Sequence, residues 1–222
     1  MVHIETYIAQ LIHLLLREYG SRLAYVGLQG SYLRGEATDK SDIDIMVVID
    51  NLSVSDLTSY RAIIQSLDEP EKSCGFICGT AELAHWNPLE ICHLLNTTKD
   101  FYGELTALVP QYTQEDIRNF IKLSVNNLYH EICHRYVHSD QSKNISRLPS
   151  SYKGVFFILQ NLYYLQCGEY IMTKDRLLSM LTGRNRQVLE RAIALNKGIS
   201  FDFSDSFELL FRWCQETLVS IQ

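Results

Sequence analysis

The sequence contains no long hydrophobic run. No unbroken apolar stretch approaches the roughly 20 residues that a membrane-spanning helix needs. Polar side chains such as Glu5, Arg17 and Glu18 interrupt the first twenty residues, and no small-residue cleavage site follows, so we do not expect a signal peptide. These absences predict a protein without a membrane partner and favour a cytoplasmic location.

Cysteine pairs and excess positive charge are also missing. The six cysteines form no C-x-x-C pair and lie mostly within apolar segments, so buried free thiols are expected instead of a disulfide framework. The net charge is −6, which excludes a global basic field of the kind that holds nucleic acid non-specifically. The sequence therefore gives no strong nucleic-acid signal.

What is present is a change of pattern near Pro110. Before it, short apolar strands at 22–30 and 41–50 alternate with helical patterns, and the segment 88–105 is predicted to end as a helix. After it, only helical patterns occur, apart from a polar break at 140–149. The expected fold class is α+β, with an N-terminal α/β domain that contains a small mixed sheet (1–108) and a C-terminal all-α helical bundle (109–222).

Two aspartates one residue apart, Asp42 and Asp44, stand at the head of an apolar strand. Side chains two residues apart on a strand point to the same face, so the two carboxylates are expected to project together. Carboxylates this close repel each other unless a cation lies between them. Mg²⁺ suits the pair, because it prefers oxygen ligands and usually combines few protein carboxylates with phosphate oxygens.

A glycine–serine pair, Gly30 and Ser31, precedes the aspartates. Gly30 lets the backbone approach a phosphate, and Ser31 adds a hydroxyl donor. Either piece alone is more often an ordinary turn or a polar strand entrance. In this order and spacing, the two pieces together favour a site for a metal-bound triphosphate.

The stretch "GSYLRGEATDKSDIDIMVV" (30–48) resembles the signature of the polymerase-β-like nucleotidyltransferases. The resemblance implies transfer of a nucleoside monophosphate from a nucleoside triphosphate, with pyrophosphate leaving. It also implies that the Gly-Ser pair binds the triphosphate and the aspartate pair binds Mg²⁺, with supporting contacts from Arg34 and Ser41.

The order of this domain, a W-x-P-x-E segment and a helical domain is similar to the streptomycin/spectinomycin-type aminoglycoside adenylyltransferases. The resemblance implies a glutamate as catalytic base, for which Glu90 in "HWNPLEICHLL" matches best and Glu82 competes. Glu90 is equally well explained as a first-turn glutamate after Pro88. The resemblance further implies that the helical domain completes the site with a lysine on the nucleotide, for which Lys174 and Lys153 are the candidates.

"HEICH" (130–134) is the main rival motif. It matches H-E-x-x-H, in which two histidines on one helix face bind zinc and the glutamate acts as base. No other signature of the zinc proteases accompanies it. Chance histidines on a helix are therefore the favoured interpretation, with a local role near an acceptor pocket as the second.

Together these patterns predict a Mg²⁺-dependent enzyme that transfers an adenylyl group from ATP to a hydroxyl of a small molecule such as an aminoglycoside, an antibiotic-resistance activity. One alternative is transfer to a protein or an RNA, as in antitoxin-type nucleotidyltransferases. The other is a catalytically degenerate nucleotide-binding module. The sequence does not identify the acceptor or the base of the nucleotide, and it is compatible with a homodimer.

Overall fold

The computed structural model describes residues 2–221 and divides the chain into two compact units, Met1–Tyr112 and Thr113–Gln222. A four-stranded mixed sheet with helices forms the first unit, and helices form the described part of the second. The predicted α+β class is confirmed. None of the helices within the described range is both long enough and apolar enough to span a bilayer.

The first unit alternates short strands with helices. Its elements are α1 (Ile4–Tyr19), β1 (Leu23–Leu28), α2 (Gly30–Arg34), β2 (Ile43–Ile49), α3 (Val54–Gln65), β3 (Ser73–Gly79), α4 (Thr80–Ala84), α5 (Pro88–Asn96) and β4 (Lys99–Tyr102). The strand order is β3-β2-β1-β4, with β2 and β3 parallel and the other two pairs antiparallel.

The two faces of this sheet differ in what covers them. On one face, the apolar stripe of α1, which includes Leu11 and Leu15, packs with β2 residues such as Ile45 and Val47 in the larger core cluster. The opposite face carries a smaller cluster that contains Met46 of β2. Because side chains alternate along a strand, Asp44 lies on this second face, in line with Met46.

The prediction of a helix to the end of 88–105 is wrong in its second half. The helix α5 stops at Asn96, and Lys99–Tyr102 forms the edge strand β4, paired antiparallel with β1. A strand of four residues is too short to show a period of two, and its exposed edge position tolerates the polar pair Lys99 and Asp100. This strand therefore carries little sequence signal.

The second unit consists of α6 (Gln114–His138), α7 (Gln141–Ser151), α8 (Val155–Cys167), α9 (Lys174–Met180), α10 (Gly183–Asn196) and α11 (Phe203–Ser220). The polar break predicted at 140–149 is helical. Asp140 begins α7 as its N-cap and accepts a hydrogen bond from the backbone N–H of Lys143 at 2.8 Å. The helix buries few apolar side chains, Leu148 among them, so hydrophobic periodicity does not reveal it.

Candidate functional site

The aspartate pair lies at an end of the sheet where four strands come together. Asp42 directly precedes β2, and Asp44, its second residue, lies opposite Cys74 of β3. The carbonyl of Asp44 accepts a hydrogen bond at 2.8 Å from the backbone N–H of Gln29, the residue after β1. The Gln29 side chain donates at 2.8 Å to the hydroxyl of Thr98, directly before β4. The strand ends are thus linked around Asp44.

The carboxyl of Asp44 is half buried, and the groups around it shift its pKa in opposite directions. Burial raises its pKa, and the nearby Asp42 carboxylate raises it further, while a hydrogen bond with Cys74 and the charge of Arg34 lower it. The Asp42 carboxylate thus contributes to the raised pKa of Asp44. A cation between them would offset both the burial and the mutual repulsion.

Gly30 touches the Asp44 carboxylate directly. Its φ is +69°, in the left-handed region that favours glycine. A Cβ at this position would lie 1.9 Å from Asp44 Oδ2 and 2.8 Å from its Cγ, closer than atoms can approach. Any other residue at position 30 must therefore strain the backbone and displace Asp44. The backbone of α2 begins against the carboxylate, and Ser31 follows as its second residue.

Arg34, at the end of α2, carries a largely buried positive charge beside this site. Its Nε donates to Glu36 Oε2 at 3.0 Å, and 12% of its side chain is exposed. Burial, with the Arg34 charge as a second cause, lowers the pKa of His93 on α5 to about 4. His93 is therefore neutral at physiological pH, and the fixed charge beside Asp44 belongs to Arg34.

Ser41 shapes the loop that leads into β2. Its Oγ accepts a hydrogen bond from the backbone N–H of Thr38 at 2.9 Å, and its own N–H donates to the Thr38 carbonyl at 3.0 Å. This closed turn precedes Asp42 directly. The structure thus gives Ser41 a positioning contact.

The structure does not bring Glu82 to the aspartates. Glu82 lies on α4, and its Oε2 would be 2.0 Å from a Cβ on Gly79. Gly79 pairs with Ile49, whereas Asp44 pairs with Cys74, so five residues of strand separate the two positions. At about 3.3 Å per residue this is roughly 16 Å, and Glu82 lies toward the opposite end of the sheet.

Glu90 lies in the first turn of α5, beside Trp86. Its Oε2 accepts a hydrogen bond from the Trp86 indole N–H at 2.6 Å, and the carboxylate is exposed. The Trp86 ring in turn meets the Phe76 ring edge-on, with centroids 5.1 Å apart. Because Phe76 pairs with Met46 in the smaller core cluster, this contact places Trp86 on the same sheet face as the aspartates.

A third carboxylate, missed by the sequence analysis, lies on that same face. Asp100 of β4 pairs with Gly27 of β1, and Gly27 pairs with Met46 of β2. Paired residues in antiparallel strands point to the same face, so Asp100 and Asp44 face the same way across β1. The Tyr25 hydroxyl donates to Asp100 Oδ1 at 2.5 Å, which fixes the carboxylate.

Gly27, which pairs with Asp100, is a glycine for a steric reason. A Cβ on Gly27 would lie 2.2 Å from the Tyr25 hydroxyl oxygen. The Tyr25 ring can therefore extend along β1 over position 27 only because Gly27 has no side chain. The signal that could have found Asp100 is the short aromatic run "KDFYG" after α5, since aromatic residues are common in strands.

The donor set at this end of the sheet fits a hard cation. Asp42 and Asp44 supply carboxylate oxygens, which Mg²⁺ prefers, and phosphate oxygens and water usually complete its coordination. Within residues 2–221, no cluster of three or more His, Cys, Asp or Glu side chains is arranged to hold a metal ion. The aspartate pair therefore stays a predicted pair of metal ligands.

The two candidate lysines lie in the helical unit and line one cavity there. Lys153 lies between α7 and α8, and Lys174 begins α9. Both contribute to a cavity of about 90 Å³, together with Phe156 and Asn196. The Lys174 ammonium lies 5.4 Å from the centre of the Phe156 ring, a cation–π contact.

The histidines of "HEICH" are exposed on α6. The rings of His130 and His134 lie 5.9 Å apart between centroids, and those of His134 and His138 lie 4.7 Å apart. Glu131, the acid of the zinc-protease pattern, forms an ion pair with Arg135. The carboxylate is therefore engaged by a cation of its own helix.

Comparison with known families identifies the segment that holds the aspartate pair. Residues 8–78, which span α1 to β3, match the model of the family described as "Nucleotidyltransferase domain". This segment, about a third of the chain, is similar to a nucleotidyltransferase domain. The matched segment includes Gly30, Ser31, Arg34, Asp42 and Asp44, and it ends before Asp100.

The relatives of this chain are distant. A protein of Methanocaldococcus jannaschii, named as a protein adenylyltransferase, is 43% identical over 44 residues, which is 20% of this chain. The match spans 44% of that relative, less than half of its length.

Two solved structures are similar. Spectinomycin adenyltransferase AAD(9) from Enterococcus faecialis, with ATP and spectinomycin, has a TM-score of 0.58 and 15% identity, over 97% of this chain and 99% of that one. A nucleotidyltransferase-like protein from Exiguobacterium sibiricum has a TM-score of 0.40 and 12% identity, over 96% of this chain and 75% of that one. The first likeness shows the fold of the nucleotidyltransferase and its helical region.

Proposed function

We propose that this protein is a Mg²⁺-dependent enzyme that transfers an adenylyl group from ATP to a hydroxyl of a small molecule, with an aminoglycoside as the first candidate. The observation that carries the proposal is the arrangement of Gly30, Asp44 and Asp100 on one face and at one end of the sheet. The ligands named with the AAD(9) structure, ATP and spectinomycin, suggest the pair of substrates to test.

In the proposed reaction, an acceptor hydroxyl oxygen attacks the α-phosphorus of ATP. The bond from that phosphorus to the bridging oxygen breaks, and pyrophosphate leaves with the electron pair. Gly30 brings the backbone of α2 close to the triphosphate, and Ser31 donates its hydroxyl. A Mg²⁺ ion held by Asp42 and Asp44 would offset the negative charge of the phosphates and orient them.

The hydroxyl proton needs a base, and we assign that role to Asp100. Its carboxylate shares a sheet face with Asp44, and Tyr25 holds one of its oxygens, which leaves the other to accept a proton. Glu90 is the rival, because Trp86 places it on the same side of the sheet. A positioned general base contributes roughly 10²–10⁴-fold to the rate, so the two assignments differ measurably.

We further propose that Lys174 and Lys153 contact the nucleotide, as the resemblance implies. The two lysines line one cavity of the helical unit, which supports a shared role for their ammonium groups. Each would act as a point charge on phosphate oxygens.

A protein hydroxyl is the second candidate acceptor. The observation that favours it is the short match to the relative from M. jannaschii, which is named as a protein adenylyltransferase. The chemistry at the aspartates would be the same. The identity of the labelled product, and not the residues of the site, therefore distinguishes the two candidate acceptors.

The test is a pyrophosphate-release screen with ATP or GTP and Mg²⁺ against a panel of aminoglycosides and lincosamides, followed by radiolabel transfer from α-labelled ATP to co-purified proteins. We expect ATP and one aminoglycoside to release pyrophosphate. Asp42→Asn should reduce release to background while circular dichroism stays unchanged. Activity retained in Asp42→Asn would refute the metal assignment, and nucleotide binding without any labelled acceptor would favour the degenerate module.

A further inference from the structure

A cluster of basic side chains stands apart from the aspartates, wholly within the helical unit. It lines a pocket of about 560 Å³ between the second half of α6 and α7. The basic members are His130, His134, Arg135, Lys143 and Arg147. Because the chain as a whole carries a net charge of −6, this concentration of cations is local. We call it the basic pocket.

Arg135 forms the rigid part of the basic pocket. Its side chain is 12% exposed and donates to Ser151 Oγ at 2.9 Å, in addition to its ion pair with Glu131. The Ser151 hydroxyl also contacts Glu131, at 3.4 Å. The guanidinium is thus held in one orientation before any ligand arrives, which reduces the entropy that binding would cost.

A second guanidinium, that of Arg147, lines the same pocket. The pKa of Arg135 is lowered by burial and, as the second cause, by the charge of Arg147. Like charges at close range are unfavourable, and an anion between them removes the repulsion. Arg147 lies on α7 with an exposed side chain, so it is free to turn toward a ligand.

The acids near the basic pocket leave its net charge positive. Of the described residues that line it, Glu131 alone is acidic, and it is engaged by Arg135. Lys143 pairs with Asp140 at 3.2 Å, but both side chains are more than half exposed, so this pair is weak. Ser139 adds a hydroxyl to the lining.

The same charges argue against zinc. His130 and His134 are spaced to share a metal, but two arginines and a lysine line the same pocket. A divalent cation would be repelled by them. Guanidinium groups instead match phosphate oxygens in geometry and charge.

We propose that the basic pocket binds a small phosphate-bearing anion, with Arg135 and Arg147 as the main contacts and Lys143, His130 and His134 as additional donors. The basic side chains of the pocket lie on α6 and α7 only, which suits a small anion with one or two phosphate groups. A nucleic-acid backbone would instead need basic residues that continue along the surface. This proposal is independent of the proposed transfer reaction, because it involves none of the same residues.

The test is titration calorimetry of the full chain with inorganic phosphate and pyrophosphate at fixed salt, without added metal. We expect Arg147→Gln to weaken binding by at least about tenfold, since a hydrogen bond to a charged group is lost. Arg118→Gln is the matched control, because Arg118 lies on the same α6 outside the pocket and pairs with Glu115 at 3.4 Å. This control should leave the affinity unchanged.

A second variant guards against a structural explanation. His134→Asn removes an exposed ring and should weaken phosphate binding by a smaller factor without changing the melting temperature. Equal affinity in wild type, Arg147→Gln and His134→Asn would overturn the proposal, since phosphate would then bind elsewhere, for instance at Gly30 and Ser31. Zinc binding that depends on His134, or RNA binding that depends on Arg147, in the absence of phosphate binding would overturn it as well.

Discussion

The two units of this chain position their polar side chains by different means. In the first unit, strand register and backbone contact place Asp44 opposite Cys74 and directly against Gly30. In the second unit, Lys153 and Lys174 project from helix ends into a cavity, held by side-chain contacts such as the Phe156 ring. The sheet therefore fixes its polar groups through the backbone, whereas the positions of the two lysines depend on side-chain contacts.

The difference suggests a division of labour in the proposed reaction. Catalytic groups must stay within a fraction of an ångström of the reacting atoms, which a sheet provides. Charges that hold a nucleotide tolerate small displacements, because electrostatic attraction changes slowly with distance. Substitutions in the first unit should accordingly lower kcat, and substitutions in the second unit should raise KM.

After Asp42→Asn, the largest effect is expected from Asp100→Asn. If Asp100 is the base, the substitution keeps the hydrogen bond from Tyr25 but removes the proton acceptor, so kcat should fall roughly 10²–10⁴-fold. Steady-state pyrophosphate release at saturating ATP and acceptor measures it.

Glu90→Gln is the control for that experiment, since it is an equally conservative change at the rival position. It should alter kcat by less than about threefold, well below the contribution of a general base. The reverse result, with Glu90→Gln inactive and Asp100→Asn active, would move the base to α5. Tyr25→Phe should produce a partial loss, because Asp100 would remain but lose its positioning contact.

Gly30→Ala is expected to rank next. The alanine methyl would strain the left-handed backbone, at roughly 1–2 kcal/mol, and push the Asp44 carboxylate aside. A displacement of about 1 Å can cost roughly 10²-fold in rate, which sets the expected loss of kcat. Enzyme assay and thermal unfolding of the same sample measure the two effects.

Gly198→Ala, in the helical unit, separates strain from contact. Gly198 has a similar φ, +71°, but a Cβ there meets no atom within 4 Å. We expect a similar loss of stability in both variants and a loss of activity only in Gly30→Ala. Equal activity in the two variants would show that the contact between Gly30 and Asp44 is not needed for turnover.

The sequence predicts the site best where chemistry and backbone period coincide. Asp44 is the second residue of β2 and Asp42 directly precedes the strand, so the pleat predicts that the two side chains share a face. The cap at Ser53 is equally local, because its hydroxyl and the Asp56 side chain satisfy backbone groups within one turn. Such features need no knowledge of distant residues.

What the sequence could not predict depends on pairing between distant segments. Asp100 joins the candidate site only through the register of β4 against β1, across some seventy residues of chain. The strand itself is four residues long and polar on its exposed edge, so no period identifies it. The helix α7 is missed for a related reason, since its buried side chains include Asn144 and Ser151.

A smaller effect is expected from the lysines of the helical unit. Lys174→Met and Lys153→Met each remove one charge that we assign to the nucleotide, and each should raise KM for ATP about tenfold, with a lesser change in kcat. Initial rates over a range of ATP concentrations measure this. Lys197→Met, an exposed lysine of the same unit outside that cavity, should leave KM unchanged. A fall in kcat at constant KM would contradict the division of labour.

The smallest expected effect concerns acid stability. Arg22 holds Asp56 with two hydrogen bonds, at 2.7 and 3.0 Å, and with the Ser53 cap this lowers the pKa of Asp56 below its ordinary value of 3.8. A lowered pKa means that the stabilisation is complete above the ordinary value and is lost as pH falls toward the folded-state pKa. The melting temperature of the wild type should therefore drop by a few degrees more between about pH 5 and pH 2 than that of Asp56→Asn.

Asp140→Asn provides the comparison in the helical unit. Hydrogen bonds from Ser142 and Lys143 lower the pKa of Asp140 to about 2, but these contacts lie within one turn of α7. Asparagine also caps helices well, so this variant should keep nearly the wild-type pH dependence near neutrality. Hydrogen exchange resolves the two sites: at low pH, protection should fall across the first unit where Asp56 links α3 to Arg22, and only locally in α7. A uniform loss of protection in both units would contradict this prediction. It would mean that low pH unfolds the whole chain in one step, and not through protonation of Asp56.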